Sequence, residues 1–138
     1  MIIDSSALVA VFVREPAAEP IRLRLEQETS VRIGAPTLVE TSIVVESKAG
    51  LGGRALLGQL LDELAITLVP FEETHARVAI DAYSRFGKGY HPAALNYGDC
   101  MTYAIARVAG EPLLCLGNDF ALTDLELASW VREQTGAL

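Results

Sequence analysis

The sequence predicts an α/β fold built on an open, mostly parallel sheet with helices on both faces. Three observations predict it. Short apolar segments without strict alternation, such as Met1-Ile2-Ile3 and Leu113-Leu114-Cys115-Leu116, have the character of strands buried on both sides. Longer stretches with apolar residues at helical spacing separate them. Strand and helix alternate along the whole chain, which is the pattern of a parallel sheet with crossover helices.

The elements follow in order. Met1 to Asp4 reads as a buried strand, and Ser5 or Ser6 can cap the helix after it. That helix runs to about Arg14 and stops before Pro16. A second helix covers roughly Ala17 to Gln27, and Val31 to Gly34 reads as a strand. Pro36 suits the first turn of the next helix and Gly50 its end. Gly52-Gly53 lies near the start of another helix, which reaches about Leu64. Thr67 to Val69 is a strand ended by Pro70, and Thr74 to Phe86 is helical by spacing. Gly87 to Leu95 is a loop. Asn96 caps a helix to Val108 with Met101, Ala104, Ile105 and Val108 on one face. Gly110 and Pro112 end it, and Leu113 to Leu116 is the last clear strand. The tail from Asp124 suits a short strand and a helical turn around Trp130.

A length of 138 residues predicts a single domain, 1–138, with a substantial core. Hydrophobic content of 51% and charged content of 21% are ordinary for a globular protein. No run of 18 apolar residues exists, so no membrane span is expected. Asp4 interrupts the apolar start and no basic segment precedes it, so no signal peptide is expected. Cys100 and Cys115 sit in apolar surroundings without metal spacing and read as reduced core residues of a cytoplasmic protein. The net charge of −7 argues against broad nonspecific binding to nucleic acid and for association with a basic partner.

Four acids stand where such a fold collects charge. Active sites of parallel sheets lie beyond the carboxyl ends of the strands. Asp4 and Asp119 follow the first and last strands, and Glu40 and Asp99 fall early in helices whose N-termini point the same way. Carboxylates brought together repel one another, so the set needs a cation or partial protonation. With hard oxygen donors the cation is Mg²⁺ or Mn²⁺. Each acid also has a plainer reading. Asp4 can serve the dipole of the adjacent helix, Asp99 can complete a cap with Asn96, and Asp119 can be a turn residue beside Gly117 and Asn118. Glu40 is a lone charge whose helix neighbours, Ile43 and Val44, are apolar, which is costly unless the charge is paired or bound to metal.

Ser6 and Asn118 are expected as hydrogen-bonding neighbours of the ligands, and Asp124 as a turn cap or a support for the site. Arg85, Lys88 and His91 either hold substrate phosphates or belong to a solvated loop. His91 and His75 lie on different elements without ligand spacing, so zinc is not expected.

The segments Ile3-Asp4-Ser5-Ser6-Ala7-Leu8, the isolated Glu40, Leu95-Asn96-Tyr97-Gly98-Asp99-Cys100, and Leu113 to Phe120 with Thr123-Asp124 resemble the PIN-domain ribonucleases. More narrowly they resemble the VapC toxins of bacterial toxin–antitoxin pairs. The resemblance covers essentially the whole chain. It implies a three-layer α/β/α sandwich and a metal-dependent endoribonuclease, often dimeric, neutralised by a VapB-type antitoxin. It places the family's four acids on Asp4, Glu40, Asp99 and Asp119. Many relatives carry a Thr or another acid just before the last Asp, where this chain has Gly117 and Asn118.

The expected chemistry is phosphodiester hydrolysis, in which one or two cations polarise the phosphate and activate a water for in-line attack. No nucleophilic triad is evident. A haloacid-dehalogenase-like phosphatase would need an Asp at position 6, which is Ser6. A receiver-like domain would need paired acids before its first helix and a late Lys at a strand end, and neither occurs. A catalytically silent module that binds a partner or RNA is the alternative from another class, and retention of all four acids speaks against it.

Overall fold

A computed structural model describes residues 1–130. Its core is a four-stranded sheet, all parallel, in the order β3-β2-β1-β4. The strands are β1 (Ile2–Ile3), β2 (Val31–Gly34), β3 (Ile66–Val69) and β4 (Leu113–Leu114). Two helices fill each crossover. These are α1 (Ser5–Phe12) and α2 (Ala18–Glu26), then α3 (Ala35–Ala49) and α4 (Leu51–Glu63), then α5 (Glu73–Phe86) and α6 (Tyr97–Ala109).

The central strands bury both faces, and successive side chains divide between two cores. Ile2 and Leu113 pack with α5 and α6 on one side. Ile3, Ile33 and Leu114 pack with α1 to α4 on the other. The result is the three-layer sandwich expected from the sequence. Strand β3, at the edge, is the most open, and Leu68 is 52% exposed. No helix is long and apolar enough to cross a membrane among the described residues. Both cysteines are free and buried.

Local signals account for most boundaries. Helix α1 stops at Phe12 rather than Arg14, because Arg14 takes a positive φ of 57° that a helix cannot continue through. Pro36 sits in the first turn of α3, and Gly50 ends that helix at φ 72°. Gly110, left-handed at φ 64°, ends α6. On α6 the buried face is broader than the spacing suggests. Cys100, Thr102, Tyr103 and Ala106 are buried with Ala104 and Ile105, while Val108 is 41% exposed. The helix packs at once on the sheet, on α5 and on α3, so a single stripe does not suffice.

Strand β4 is shorter than expected because the Leu116 N–H leaves the ladder and donates to the Ser6 hydroxyl. The short strand expected in the tail is a single bridge, Leu127 to Leu113. Trp130 is in no helix and its indole donates to the Cys115 carbonyl at 3.0 Å. A helical turn continuing past it falls on residues 131–138, outside the described residues.

Candidate active site

Because every strand is parallel, the carboxyl ends of β1, β2 and β4 share one edge, and the N-termini of α1, α3 and α6 reach the same edge. Asp4 is the N-cap of α1, with extended backbone at φ −85° and ψ 157°. Its carboxylate is buried but satisfied. One oxygen accepts from the Ser6 N–H at 3.1 Å and the Ser6 hydroxyl at 2.6 Å. The other accepts from the Thr102 hydroxyl at 2.9 Å. Thr102 lies 3.0 Å from the Thr37 hydroxyl. Its one proton goes to Asp4, so Thr37 must donate to it, and the chain of donors runs from α3 through α6 to Asp4.

Glu40 lies in the second turn of α3 and accepts the Ser5 hydroxyl at 2.6 Å. Its other oxygen presses against Gly98 in the first turn of α6, where any Cβ would overlap it. Glycine at 98 therefore lets α6 approach the carboxylate. The apolar neighbours that single out Glu40 in the sequence are not core. Ile43 is 63% exposed and Val44 is half-buried. The environment of Glu40 is set by Ser5 and Gly98 instead.

Asp99 serves two roles that looked like alternatives in the sequence. It closes a capping box with Asn96. The Asn96 N–H donates to Asp99 Oδ2 at 3.1 Å, and the Asp99 N–H donates to the Asn96 side chain at 2.9 Å. It also faces the other acids. Burial pushes its carboxyl up from 3.8 to about 6, opposed by the Asn96 N–H and reinforced by the negative charges of Asp4, Asp119 and Glu40. Asp119 is exposed in the turn after β4. Cys115 gives the same reading from beneath. Burial, then the charges of Asp4, Asp119 and Asp99, push its thiol up to about 12, which removes it as a nucleophile at neutral pH.

The four acids are thus brought to one edge, with Ser6 bonded to Asp4 as expected. Asn118 is exposed, beside Asp119, and its carbonyl accepts the Ala121 N–H. Asp124 is placed differently from the expectation of a support beside the ligands. It accepts the Tyr103 hydroxyl at 2.6 Å and pairs with Arg85 at 3.1 Å and Arg107 at 3.8 Å, tying the loop after Asp119 to α5 and α6. Those partners hold its carboxylate below the usual range, against the upward pull of burial.

Of the basic candidates, Arg85 is committed to Asp124 and Asp81 and lies over the Phe86 ring. His91 accepts the Ala93 N–H at 3.0 Å and meets Phe86 edge-on. Lys88 is exposed and forms no ion pair among the described residues. His75 is spent in capping α5.

Thr102 and Thr37 are site residues that reading the sequence did not single out, Ser5 entered it only as a helix cap and within a motif, and Gly98 only within a motif. Gly98 had a signal, a glycine in a helix between two polar caps. The hydroxyls had none.

Among the described residues no three His, Cys, Asp or Glu side chains already form a metal cage. The donor set nonetheless fits a hard divalent cation, since it is all carboxylate oxygen and the other three acids add to the burial that disfavours ionised Asp99. Glu40 and Asp99 each hold one oxygen in a hydrogen bond to Ser5 or Asn96, which leaves the other for a ligand.

Comparison with known proteins agrees with this architecture. Residues 1–125 match the family model of the PIN domain. The chain is 42% identical over 125 residues to Ribonuclease VapC of Mycolicibacterium smegmatis, covering 91% of this chain and 97% of that one. It is 42% identical over 127 residues to Ribonuclease VapC36 of Mycobacterium tuberculosis, covering 91% of each. Among solved structures it resembles M. tuberculosis VapC20, described as a sarcin-ricin loop cleaving toxin, with a TM-score of 0.76, 12% identity, and coverage of 92% of this chain and 97% of that one. It also resembles a chain of VapBC2 from Rickettsia felis, solved with a DNA fragment from its promoter, with a TM-score of 0.74, 14% identity, and coverage of 94% and 97%. Identity at the level of the first two, over nearly the whole of both chains, places this protein in the PIN-domain family, among its VapC ribonucleases.

Proposed function

We propose that this protein is a Mg²⁺- or Mn²⁺-dependent endoribonuclease, the toxin of a type II toxin–antitoxin pair, acting in the cytoplasm and held inactive by a VapB-type antitoxin. The observation that carries the catalytic part is the convergence of Asp4, Glu40, Asp99 and Asp119 from four separate segments, where the charges of the other three add to the burial that lifts Asp99 to about 6. Such an edge favours a divalent cation over a neutral or anionic ligand. The bound cation would neutralise charge on the scissile phosphate and make water a competent nucleophile.

The protein's own part is placement. Asp4, Asp99 and Asp119 would hold the metal. Ser6 and Thr102 hold the Asp4 side chain in place through its two oxygens. Glu40, steadied by Ser5, would ligate the metal or accept a proton from the attacking water. Lys88 offers a cation to a flanking phosphate.

The antitoxin reading has its own support. A groove of about 700 Å³ runs between α1, α2 and α4, with Phe12, Leu56 and Leu60 among its walls and Arg14, Glu15 and Arg22 at its rim. Leu8, Ile21 and Leu25 of the same helices belong to the core. An amphipathic helix from the antitoxin fits this groove. A basic residue following it would approach Asp4, Glu40 or Asp99 and compete with the metal, and the net charge of −7 would speed the encounter. The exposed Val39 and Ile43 on α3 suit a homodimer contact.

The test is to sequence RNA 5′ ends after controlled expression of wild type and Asp4→Asn, and to repeat cleavage with purified proteins with Mg²⁺ and with chelator. Discrete new ends that need Asp4 and a divalent metal are expected. Equal cleavage by Asp4→Asn in chelator would refute the mechanism, and absence of cleavage by wild type would leave a partner- or RNA-binding module. Failure of the upstream-encoded protein to co-purify would refute the antitoxin assignment alone.

A further inference from the structure

Two buried hydroxyls back Asp4 and have no chemical step of their own. Thr37, on α3, and Thr102, on α6, meet at 3.0 Å. Thr37 is three residues before Glu40 on its helix, and Thr102 three residues after Asp99 on the other. At that spacing each hydroxyl lies one turn from an acid of its own helix.

The Thr102 hydroxyl passes over the partner that a helix offers. Thr41 and Ser42, further along α3, each donate to the carbonyl four residues back, at 2.8 Å. Thr102 sits in the middle of α6, four residues after Gly98, yet donates to Asp4 Oδ1 at 2.9 Å. Thr37 is the third residue of α3, so the carbonyl four back belongs to Ile33 in β2. Its proton goes to Thr102, whose own proton is on Asp4.

This relay ends on the Asp4 oxygen that a cation would use. A carboxylate oxygen has two acceptor positions. Both of those on Oδ2 are filled, by the Ser6 N–H and the Ser6 hydroxyl. Oδ1 accepts from Thr102 alone, which leaves it one. The Thr102 oxygen has one proton and two lone pairs. A proton from Thr37 on one lone pair closes one direction to the Thr102 proton and polarises that hydroxyl toward Asp4.

We infer that Thr37 is a positioning residue for the metal site, acting through Thr102 to hold Asp4 Oδ1 for the cation. The inference rests on the metal-dependent reading above and deepens it. Asp4, Glu40 and Asp99 come from three segments and carry like charges, which favours their spreading apart. The relay ties α3 and α6 to Asp4 by two hydrogen bonds within the core. The acids therefore keep their spacing before a cation arrives, and little affinity is lost to gathering them.

The test titrates Mn²⁺ alone against the purified protein and reads the free ion by electron paramagnetic resonance. Thr37→Val and Thr37→Ala remove the hydroxyl, and Thr37→Ser keeps it. Thr41→Val is the control, a buried Thr of the same helix whose hydroxyl donates to a carbonyl of that helix. Thr37→Val and Thr37→Ala should weaken Mn²⁺ binding by roughly 2- to 12-fold, the factor that one hydrogen bond spans. Thr37→Ser should bind as the wild type does. Thr41→Val should lower the melting temperature as Thr37→Val does and leave Mn²⁺ binding unchanged. In a Thr102→Val background, Thr37→Val should weaken Mn²⁺ binding no further, since it has nothing left to act through.

Unchanged Mn²⁺ binding in both Thr37→Val and Thr37→Ala would overturn the inference. So would an equal loss in Thr41→Val, which marks a general loosening of α3, or an equal loss in Thr37→Ser. Additive losses in the Thr102→Val background would overturn it as well. In each of these cases the wild type still binds Mn²⁺, and Asp4→Asn abolishes that binding. If the wild type binds no Mn²⁺, the metal-dependent reading has failed and the inference falls with it.

Discussion

Asp99→Asn should make the metal-free protein more stable and the enzyme inactive. The substitution removes a charge but keeps an oxygen in place to accept the Asn96 N–H, so the cap of α6 survives. The folded protein raises the Asp99 carboxyl from 3.8 to about 6, so folding disfavours its ionised form. At about 1.36 kcal/mol per pH unit the full rise corresponds to about 3 kcal/mol. The side chain is partly open to water, and screening reduces this to roughly 1–2 kcal/mol.

The sign fixes the pH window. Below about 4 the carboxyl is protonated in both states and the penalty is absent. It grows between about 4 and 6 and is complete above the folded value. In chelator at pH 7.5, Asp99→Asn should therefore melt roughly 3–6 °C above wild type. At pH 4 the two should melt together. Saturating Mg²⁺ should shrink or invert the gap at pH 7.5, because a cation bound only to the folded protein stabilises it. Thermal denaturation by circular dichroism gives all three values. A variant no more stable than wild type at pH 7.5, or equally more stable at both pH values, would sink the claim that burial beside the other acids disfavours ionised Asp99.

Gly98→Ala should fold normally and lose most activity, because the new methyl displaces the movable end of Glu40 and breaks its bond to Ser5; melting and cleavage assays read the two effects separately. Thr102→Val strips Asp4 of a buried donor and leaves Thr37 without its acceptor, and should cost about 1–3 kcal/mol in urea denaturation together with activity. Asp124→Ala leaves the Tyr103 hydroxyl without its partner and frees Arg85 and Arg107, and should destabilise by a similar ~1–3 kcal/mol. Tyr103→Phe combined with it should recover part of that loss, and an additive double mutant would contradict the pairing.

Much of this fold was legible because its signals are local. Pro36, Gly50, Asn96 and Gly110 mark helix ends by backbone chemistry alone, and the doubly buried strands show as unbroken apolar runs. The acids were legible because parallel strands all present the same edge, so a residue just past any of them has one destination. What was not legible depends on contacts between distant segments. Thr102 and Asp4 are 98 positions apart, and nothing in either neighbourhood announces the bond. Asp124 looked like a companion of Asp119 by proximity in sequence, yet the chain turns between them and hands it to Arg85 on α5. Glu40 was singled out on an argument about apolar neighbours, of which Ile43 is exposed and Val44 only half-buried; the position was informative for a different reason, the space that Gly98 leaves it.

The Ser6 hydroxyl extends the link between β1 and β4 beyond their ladder, which ends where the Asp4 N–H donates to the Leu114 carbonyl. It donates to Asp4 at the end of β1 and accepts the Leu116 N–H, just past β4, at 3.0 Å. Leu116 leads directly into the turn that carries Asp119. The amide proton of Leu116 is thus a built-in gauge of the catalytic edge. Any loosening of the Asp119 turn, or any swing of Asp4 toward a ligand, lengthens a bond made by that one hydroxyl and changes how fast that proton trades with solvent. A single backbone resonance would report whether the metal, RNA or antitoxin proposed for this edge arrives there, without a probe attached to any of the four acids.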